Sequence, residues 1–370
     1  MLTGLVDTLL DLPPYSKRND EFFLEAVKEE LRYHCASNPQ FKLWCNEHGF
    51  SQFRFLSSIR SIPFLPVQIF KQMNLCSVPK EKIIRTITSS ATSSQTPSTI
   101  FLDTITAMRQ MRALSNILQH LLGNERRPFI IFDAPPTNDV STELSARRAG
   151  MSGFLMAASS THYVMYMENE VLTLNDQLLR ETIRYLNARS QPFCLLGYTY
   201  ILSQYVLREL RERSTPLAVL YPGSKILHFG GWKRLQHLAV TPSALRSEAA
   251  QCFGISPHDV RDIYGFTEQL GVIYPDDEAG IKQVPVYSEV LVRDPRTLEC
   301  VPDGEIGLLE FVSPIPHGYP GVAILLDDLG RIVSRKEGIG FEVIGRAPKS
   351  ETRGCGDTLP SNIYSSKECA

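Results

Sequence analysis

Hydrophobic and polar positions repeat along this chain with two different periods. Asn19 and Asp20 precede Phe22, Phe23, Ala26, Val27 and Leu31, a three-to-four-residue spacing that predicts a capped amphipathic helix. SIPFLPVQIFK (61–71) follows, with two prolines that break regular structure before a short helix. The β-branched run IIRTI then leads into TSSATSSQTPST (88–99), which holds nine Ser and Thr residues. By composition that run is a flexible linker, but a strand-like segment leads straight into it. Farther on, strand-like and helix-like runs alternate. PFIIFDA (128–134), FCLLG (193–197), KILHFGG (225–231) and VRDIYG (260–265) read as strands. Helices are predicted over 141–150, 175–189, 199–213 and from Ser243. This βαβα rhythm predicts an α/β fold, a sheet with helices on its faces that binds ligands beyond the carboxyl ends of its strands.

After about residue 284 the helical pattern stops. PVYSEVLVRD, EIGLLEFVS and GVAILLDD read as short strands separated by turn formers, which predicts a small β-rich subdomain. The last stretch is polar and rich in Gly, Ser and Thr. The expected organisation is a helical part over 1–80, an α/β core over 81–284, the β-rich subdomain over 285–345 and a short tail over 346–370.

Composition narrows the function classes. Hydrophobic residues make up 43% of the 370 positions and charged residues 21%, ordinary for a soluble globular chain, and the formal net charge of -2 gives no basic footprint for nucleic acid. MLTGLVDTLLDLPPYS has no basic residue ahead of its apolar stretch, and the apolar run 195–207 is too short to cross a bilayer. A cytoplasmic protein is expected. The eight cysteines are scattered without a C-x-x-C pair, so neither a zinc site nor a disulfide framework is expected. His162, His228 and His317 lie near apolar segments and read as core or rim residues, although His228 stands two positions before Gly230.

YGFTEQL (264–270) raises the chemical question. On its own, Tyr-Gly signals a turn and Thr-Glu the start of a helix. The order of motifs says more. The Ser/Thr-rich loop, a strand ending in Gly230-Gly231, YGFTE, VPDGEIGLLE (301–310), LLDDLG (325–330) and the pair Gly345-Arg346 together resemble the adenylate-forming superfamily, which contains acyl-CoA ligases, firefly-type luciferases and peptide-synthetase adenylation domains. The resemblance spans residues 60–355. IPFLPVQIFK, FGGWKR (229–234), RGCG (353–356) and the chain length further resemble the acyl-protein synthetases of bacterial bioluminescence fatty-acid reductase complexes, with the phenylacetate-CoA ligase branch nearest to them. Such ligases usually continue into a further C-terminal domain. The 24 residues after Arg346 are too few for one, so that domain is expected to be truncated.

The resemblance assigns roles position by position. Glu268 is implied as the carboxylate that holds Mg2+, and Thr267 as a hydroxyl donor to a phosphate of ATP. Tyr264 and Gly265 are implied at the adenine, with Tyr264 stacked on it. Gly230 and Gly231 let backbone approach the base where a Cβ would intrude. Asp328, rather than its neighbour Asp327, matches the aspartate that accepts from the ribose hydroxyls, and Arg346 matches the hinge arginine. Ser89, Ser90, Thr92 and Ser93 supply hydroxyls for the phosphate loop, but Ala91 and Ser94 replace glycines of the usual pattern and no lysine follows. That departure reduces the backbone freedom that cradles phosphates. Cys355 matches the thiol that carries the acyl group, with Cys369 as its competitor; Arg346, Lys349 and Arg353 are near enough in sequence to lower a thiol pKa.

The implied function is ATP- and Mg2+-dependent activation of a fatty acid to acyl-AMP and its transfer to an enzyme cysteine, for delivery to an acyl-CoA reductase-type protein. The alternatives are an acyl-CoA or carrier-protein ligase of the phenylacetate type, in which Cys355 plays no part, and a degenerate non-catalytic homologue.

Overall fold

The computed structural model describes residues 4–50, 53–88, 97–136, 150–169, 171–212, 217, 219–232, 237–335 and 338–347. Helices α1 (Leu5–Leu10), α2 (Asp20–Ser37), α3 (Pro39–Glu47), α4 (Ile69–Gln72) and α5 (Thr104–Leu122) lie in the first third. The strands are β1 (Leu65–Pro66), β2 (Ile83–Thr88), β3 (Thr99–Asp103), β4 (Arg127–Ile131), β5 (Ala158–Tyr163), β6 (Met165–Glu168), β7 (Val171–Leu174), β8 (Cys194–Tyr198), β9 (Lys225–Phe229), β10 (Val260–Tyr264), β11 (Tyr274–Pro275), β12 (Lys282–Gln283), β13 (Glu289–Arg293), β14 (Gly307–Val312), β15 (Ala323–Ser334) and β16 (Ile339–Arg346). The chain forms two compact units, one of residues 1–114, 266–272 and 283–370, the other of residues 115–265 and 273–282.

The second unit carries a sheet in the order β11-β10-β9-β8-β4-β5. Strands β5, β4, β8, β9 and β10 are parallel, and β11 adds an antiparallel edge. Parallel neighbours need crossovers, which explains why strand and helix runs alternate in this part of the sequence. The helices Asp176–Ala188 and Pro242–Phe253 separate consecutive strands. All five residues of β8 are buried, as expected of a strand covered on both faces. The helix predicted over 199–213 is continuous from Thr199 to Glu212 but widens to π geometry over Leu202–Leu207. Because these strands run the same way, Tyr198, Phe229 and Tyr264 end at one edge of the sheet.

In the first unit, Asn19 caps α2 by accepting from Phe22 N at 3.1 Å, a contact worth about 1 kcal/mol. Phe23, Ala26, Val27 and Leu31 then face the core. Strands β13, β14, β15 and β16 form an antiparallel sheet, and β1 joins it in parallel along β15, with Leu65 opposite Ile324 and Pro66 opposite Leu325. Pro66 is tolerated because the strand ends there; the next donor, Val67 N, reaches Leu325 O at 2.9 Å. The Ser/Thr-rich run does not join two domains. It connects β2 to β3, which pair as an antiparallel hairpin. Helix α5, which the pattern reading leaves unassigned, follows β3 at once, with Asp103 accepting from Thr106 N at 2.9 Å. Among the described residues no helix is long and apolar enough to cross a membrane.

Candidate active site

In the second unit, the predicted adenine-side residues emerge at the carboxyl edge of the sheet. Gly230 has φ +77°, and a Cβ there would lie 2.9 Å from the Tyr198 ring. Gly231 differs: a Cβ would meet no described atom within 4 Å. The first glycine is required by the fold, while the second leaves backbone open to an approaching group. Tyr264 ends β10 opposite Tyr274, their ring centroids 6.3 Å apart, and Gly265 beyond it is exposed. His228 lies under this edge and is buried. Its Nδ1 is 3.0 Å from Thr199 Oγ1 and 3.6 Å from Asp262 Oδ1. Burial outweighs the Asp262 charge and pushes the imidazole down to about 4, so it is neutral near pH 7. Burial acts to raise Asp262, but Lys282, with Nζ 2.6 Å from Oδ2, holds it ionised below the usual carboxylate range. His228 is thus a satisfied core histidine.

In the first unit, Thr267–Gln269 form one 3-10 turn, and Thr267 is half-buried. The helix start suggested by Thr-Glu goes no further, because Leu270 takes an extended backbone (φ -53°, ψ 149°). Glu268 is only 5% exposed. Burial raises its carboxyl above the ordinary range, against the Ser98 hydroxyl beside it and the charges of Lys71 and Arg346. A buried carboxylate with two cations in electrostatic reach is poised for a ligand that brings its own charge.

Three elements gather these groups. Pairing of β1 with β15 sets α4 against Asp327, and Gln68 donates its side-chain amide to the Asp327 carboxylate. Lys71 lies three residues further on the same short helix, hence on the same side. Its charge acts on both Glu268 and Asp327. Burial raises Asp327 as well, countered by Arg346 and Lys71. The β15–β16 register places Asp328 opposite Arg346, and Arg346 Nε donates to Asp328 Oδ1 at 3.2 Å. The two neighbouring aspartates therefore differ: Asp327 is engaged by Gln68, Asp328 by Arg346. Ser98, just before β3, brings the far end of the Ser/Thr-rich connection to Glu268.

The first unit thus brings together Glu268, Asp328 and Arg346 of the expected residues, and adds Ser98, Lys71, Gln68 and Asp327. Lys71 and Gln68 had a sequence signal, since both lie in PVQIFK; Ser98 was hidden in a uniform Ser/Thr run. Ser89, Ser90, Thr92, Ser93, Ala91, Ser94 and Cys355 lie outside the described residues, as do Lys349, Arg353 and Cys369. Among the described residues the six cysteines are free. No group of three or more His, Cys, Asp or Glu suited to a metal occurs among them. One buried carboxylate fits Mg2+ arriving with a nucleotide, since that ion takes one or two carboxylates and completes its shell with phosphate oxygens and water.

The chain is similar to known proteins in sequence and in fold. The sequence is 24% identical over 354 residues to the "Long-chain-fatty-acid--luciferin-component ligase" of Aliivibrio fischeri, covering 91% of this chain and 87% of that protein. With the protein of the same name from Vibrio harveyi it is 24% identical over 347 residues, covering 89% and 85%. The fold is similar to that of 2-hydroxyisobutyryl-CoA ligase. With the open conformation in complex with 2-HIB-AMP and CoA, the TM-score is 0.60 at 15% identity, over 88% of this chain and 74% of that one. With the thioesterification state the TM-score is 0.63 at 14% identity, over 89% and 68%. The α/β fold is therefore that of adenylate-forming ligases. Residues 4–364 match the acyl-protein synthetase (LuxE) family, and the chain belongs to that family.

Proposed function

We propose that the protein is a long-chain fatty acid–protein ligase that forms acyl-AMP from a fatty acid and ATP and then transfers the acyl group to its own Cys355. The observation that carries this reading is the buried Glu268 carboxylate with Ser98 beside it and the Lys71 and Arg346 charges acting on it, in a chain of this family.

In the first step a carboxylate oxygen of the fatty acid attacks the α-phosphorus of ATP. The bond from that phosphorus to the pyrophosphate oxygen breaks, and pyrophosphate leaves. Bound Mg2+ would neutralise charge developing on the phosphate oxygens. Glu268 is the residue that would hold it, and Thr267 would donate its hydroxyl to a phosphate. Lys71, whose charge acts on both Glu268 and Asp327, would be a cationic partner for the negative charge that develops. Asp328 would accept from the ribose hydroxyls, and Arg346, which donates to Asp328, would meet ribose or phosphate. Gly230, Gly231, Tyr264 and Gly265 form the adenine side, while Ser89, Ser90, Thr92 and Ser93 donate hydroxyls to the outer phosphates.

In the second step the Cys355 thiolate attacks the acyl carbonyl. The carbonyl–oxygen bond to AMP breaks, AMP leaves, and a thioester conserves the activation. A protein acceptor, an acyl reductase, would then take the acyl group. The test is acid-dependent exchange of labelled pyrophosphate into ATP. Wild type should exchange, and Glu268→Gln should lose about two orders of magnitude while remaining folded. Exchange at the wild-type rate in a folded Glu268→Gln protein would remove Glu268 from the mechanism, and absence of exchange in the wild type would refute adenylation. Turnover driven by coenzyme A without a protein thioester would make this an acyl-CoA ligase instead.

A further inference from the structure

Glu268 is held by its backbone as well as by its surroundings. Tyr319, wholly buried, donates its hydroxyl to Glu268 O at 2.7 Å. The next residue, Gln269, is also buried and turns its amide to the same part of the chain. Its Nε2 lies 3.2 Å from Phe311 O, 2.9 Å from Gly321 O and 3.3 Å from Val322 O. The turn is therefore stapled, at the backbone of Glu268 and by the side chain of Gln269, to residues 311–322.

That segment is itself fixed. Thr106 Oγ1 accepts from His317 N at 2.9 Å and Gly318 N at 2.8 Å, and His34 Nε2 lies 3.1 Å from Pro316 O. At Gly321 a Cβ would stand 2.4 Å from the Tyr319 ring and 3.2 Å from Glu268 O, so no side chain fits between the phenol and the turn it supports. Removing the donor to a carbonyl of a buried residue leaves that oxygen to be satisfied in some other way, which favours a shift of the turn. Small errors in the placement of a charged group are costly where charge develops.

We propose that Tyr319, backed by Gln269, is a positioning residue that sets the Glu268 carboxylate for the adenylation step. The inference rests on the role assigned to Glu268 above, and its own failure can be told apart from failure of that role.

Tyr319→Phe keeps the ring and removes only the donor; Gln269→Met keeps length and removes the amide. Each is compared with wild type, in the Glu268 and the Glu268→Gln backgrounds. Exchange kinetics supply kcat and KM for ATP. Electron paramagnetic resonance titration of Mn2+ into the protein–ATP mixture reports metal binding without turnover, and far-ultraviolet circular dichroism reports folding. With Glu268 present, Tyr319→Phe should lower kcat about tenfold, leave KM for ATP within about twofold, and weaken Mn2+ binding several-fold. With Glu268→Gln it should weaken Mn2+ binding no further, since residues acting as one unit are not additive. Should Tyr319→Phe not fold, Gln269→Met carries the same comparison. Wild-type kcat and Mn2+ affinity in folded Tyr319→Phe, or an equal further loss of Mn2+ affinity in the Glu268→Gln background, would overturn the positioning role while adenylation stands. A wild-type protein without exchange would overturn adenylation and the positioning role with it.

Discussion

Gly230 and Gly231 are adjacent, yet replacing each by alanine should do opposite things. At Gly230 the φ of +77° is left-handed, which costs an L-residue about 1–2 kcal/mol. The new Cβ would also meet the Tyr198 ring at 2.9 Å. That ring packs on Phe229, centroids 4.4 Å apart, and Tyr198 is buried at 9% exposure, so it has little room to yield. Overpacking of this kind adds about 1–3 kcal/mol, while the stiffer unfolded chain returns about 0.5 kcal/mol. Gly230→Ala should therefore destabilise the protein by about 3 kcal/mol. In Gly231→Ala the new Cβ meets no described atom within 4 Å, and the variant should stay within about 0.5 kcal/mol of wild type. If Gly231 is where backbone meets the adenine, its substitution should nonetheless raise the Kd for ATP about tenfold, equivalent to about 1.4 kcal/mol. Urea denaturation followed by circular dichroism gives the stabilities, and calorimetric titration with ATP gives the affinities. Wild-type affinity in Gly231→Ala would refute the approach role, and an undiminished urea midpoint in Gly230→Ala would refute the strain reasoning.

Lys71→Ala removes a cation acting on both Glu268 and Asp327; pyrophosphate exchange should fall about a hundredfold with circular dichroism unchanged, and an unaltered rate would exclude Lys71 from the site. His34 and His228 are buried and pushed down to about 4. The unfolded chain, with histidine near 6.5, therefore binds more protons, so stability should be complete above about pH 6.5 and fall as pH drops toward 4, by at most about 3 kcal/mol for each histidine. Burial raises Asp276 to about 6 and Glu310 to about 7, and both oppose the histidines over this range. The measurement is therefore the change in urea midpoint from pH 7 to pH 5 in wild type against that in His228→Gln; an equal change in both would contradict it.

How far the sequence reveals this fold and site depends on the distance over which the determining contacts act. KILHF and VRDIY are legible as strands because each apolar run stops at Gly or Tyr-Gly, and they are β9 and β10. The glycine after β9 could be read as special, but only the position of Tyr198 separates Gly230 from Gly231. TSSATSSQTPST resembles a linker because Ser and Thr carry no period. What makes it a hairpin connection is the register of β2 with β3, in which Thr88 faces Thr99. Helix α5 begins directly after β3 with only Asp103 as signal. Ser98, Lys71 and Tyr319 are 170, 197 and 51 residues from Glu268 in sequence. Their convergence follows from the β1–β15 pairing and the 311–322 segment, neither of which leaves a local pattern.

The most direct measurement is the intact mass of wild type, Cys355→Ser and Cys369→Ser after incubation with ATP, Mg2+ and a series of fatty acids, each paired with pyrophosphate exchange. A serine hydroxyl stays protonated near neutral pH and is a far weaker nucleophile than a partly ionised thiol. Wild type and Cys369→Ser should gain the mass of one acyl group, removable by hydroxylamine, whereas Cys355→Ser should exchange pyrophosphate normally and gain none. An acyl adduct that persists in Cys355→Ser and vanishes in Cys369→Ser would contradict the assignment of the thiol, and exchange without any adduct in the wild type would contradict the acyl-protein intermediate itself.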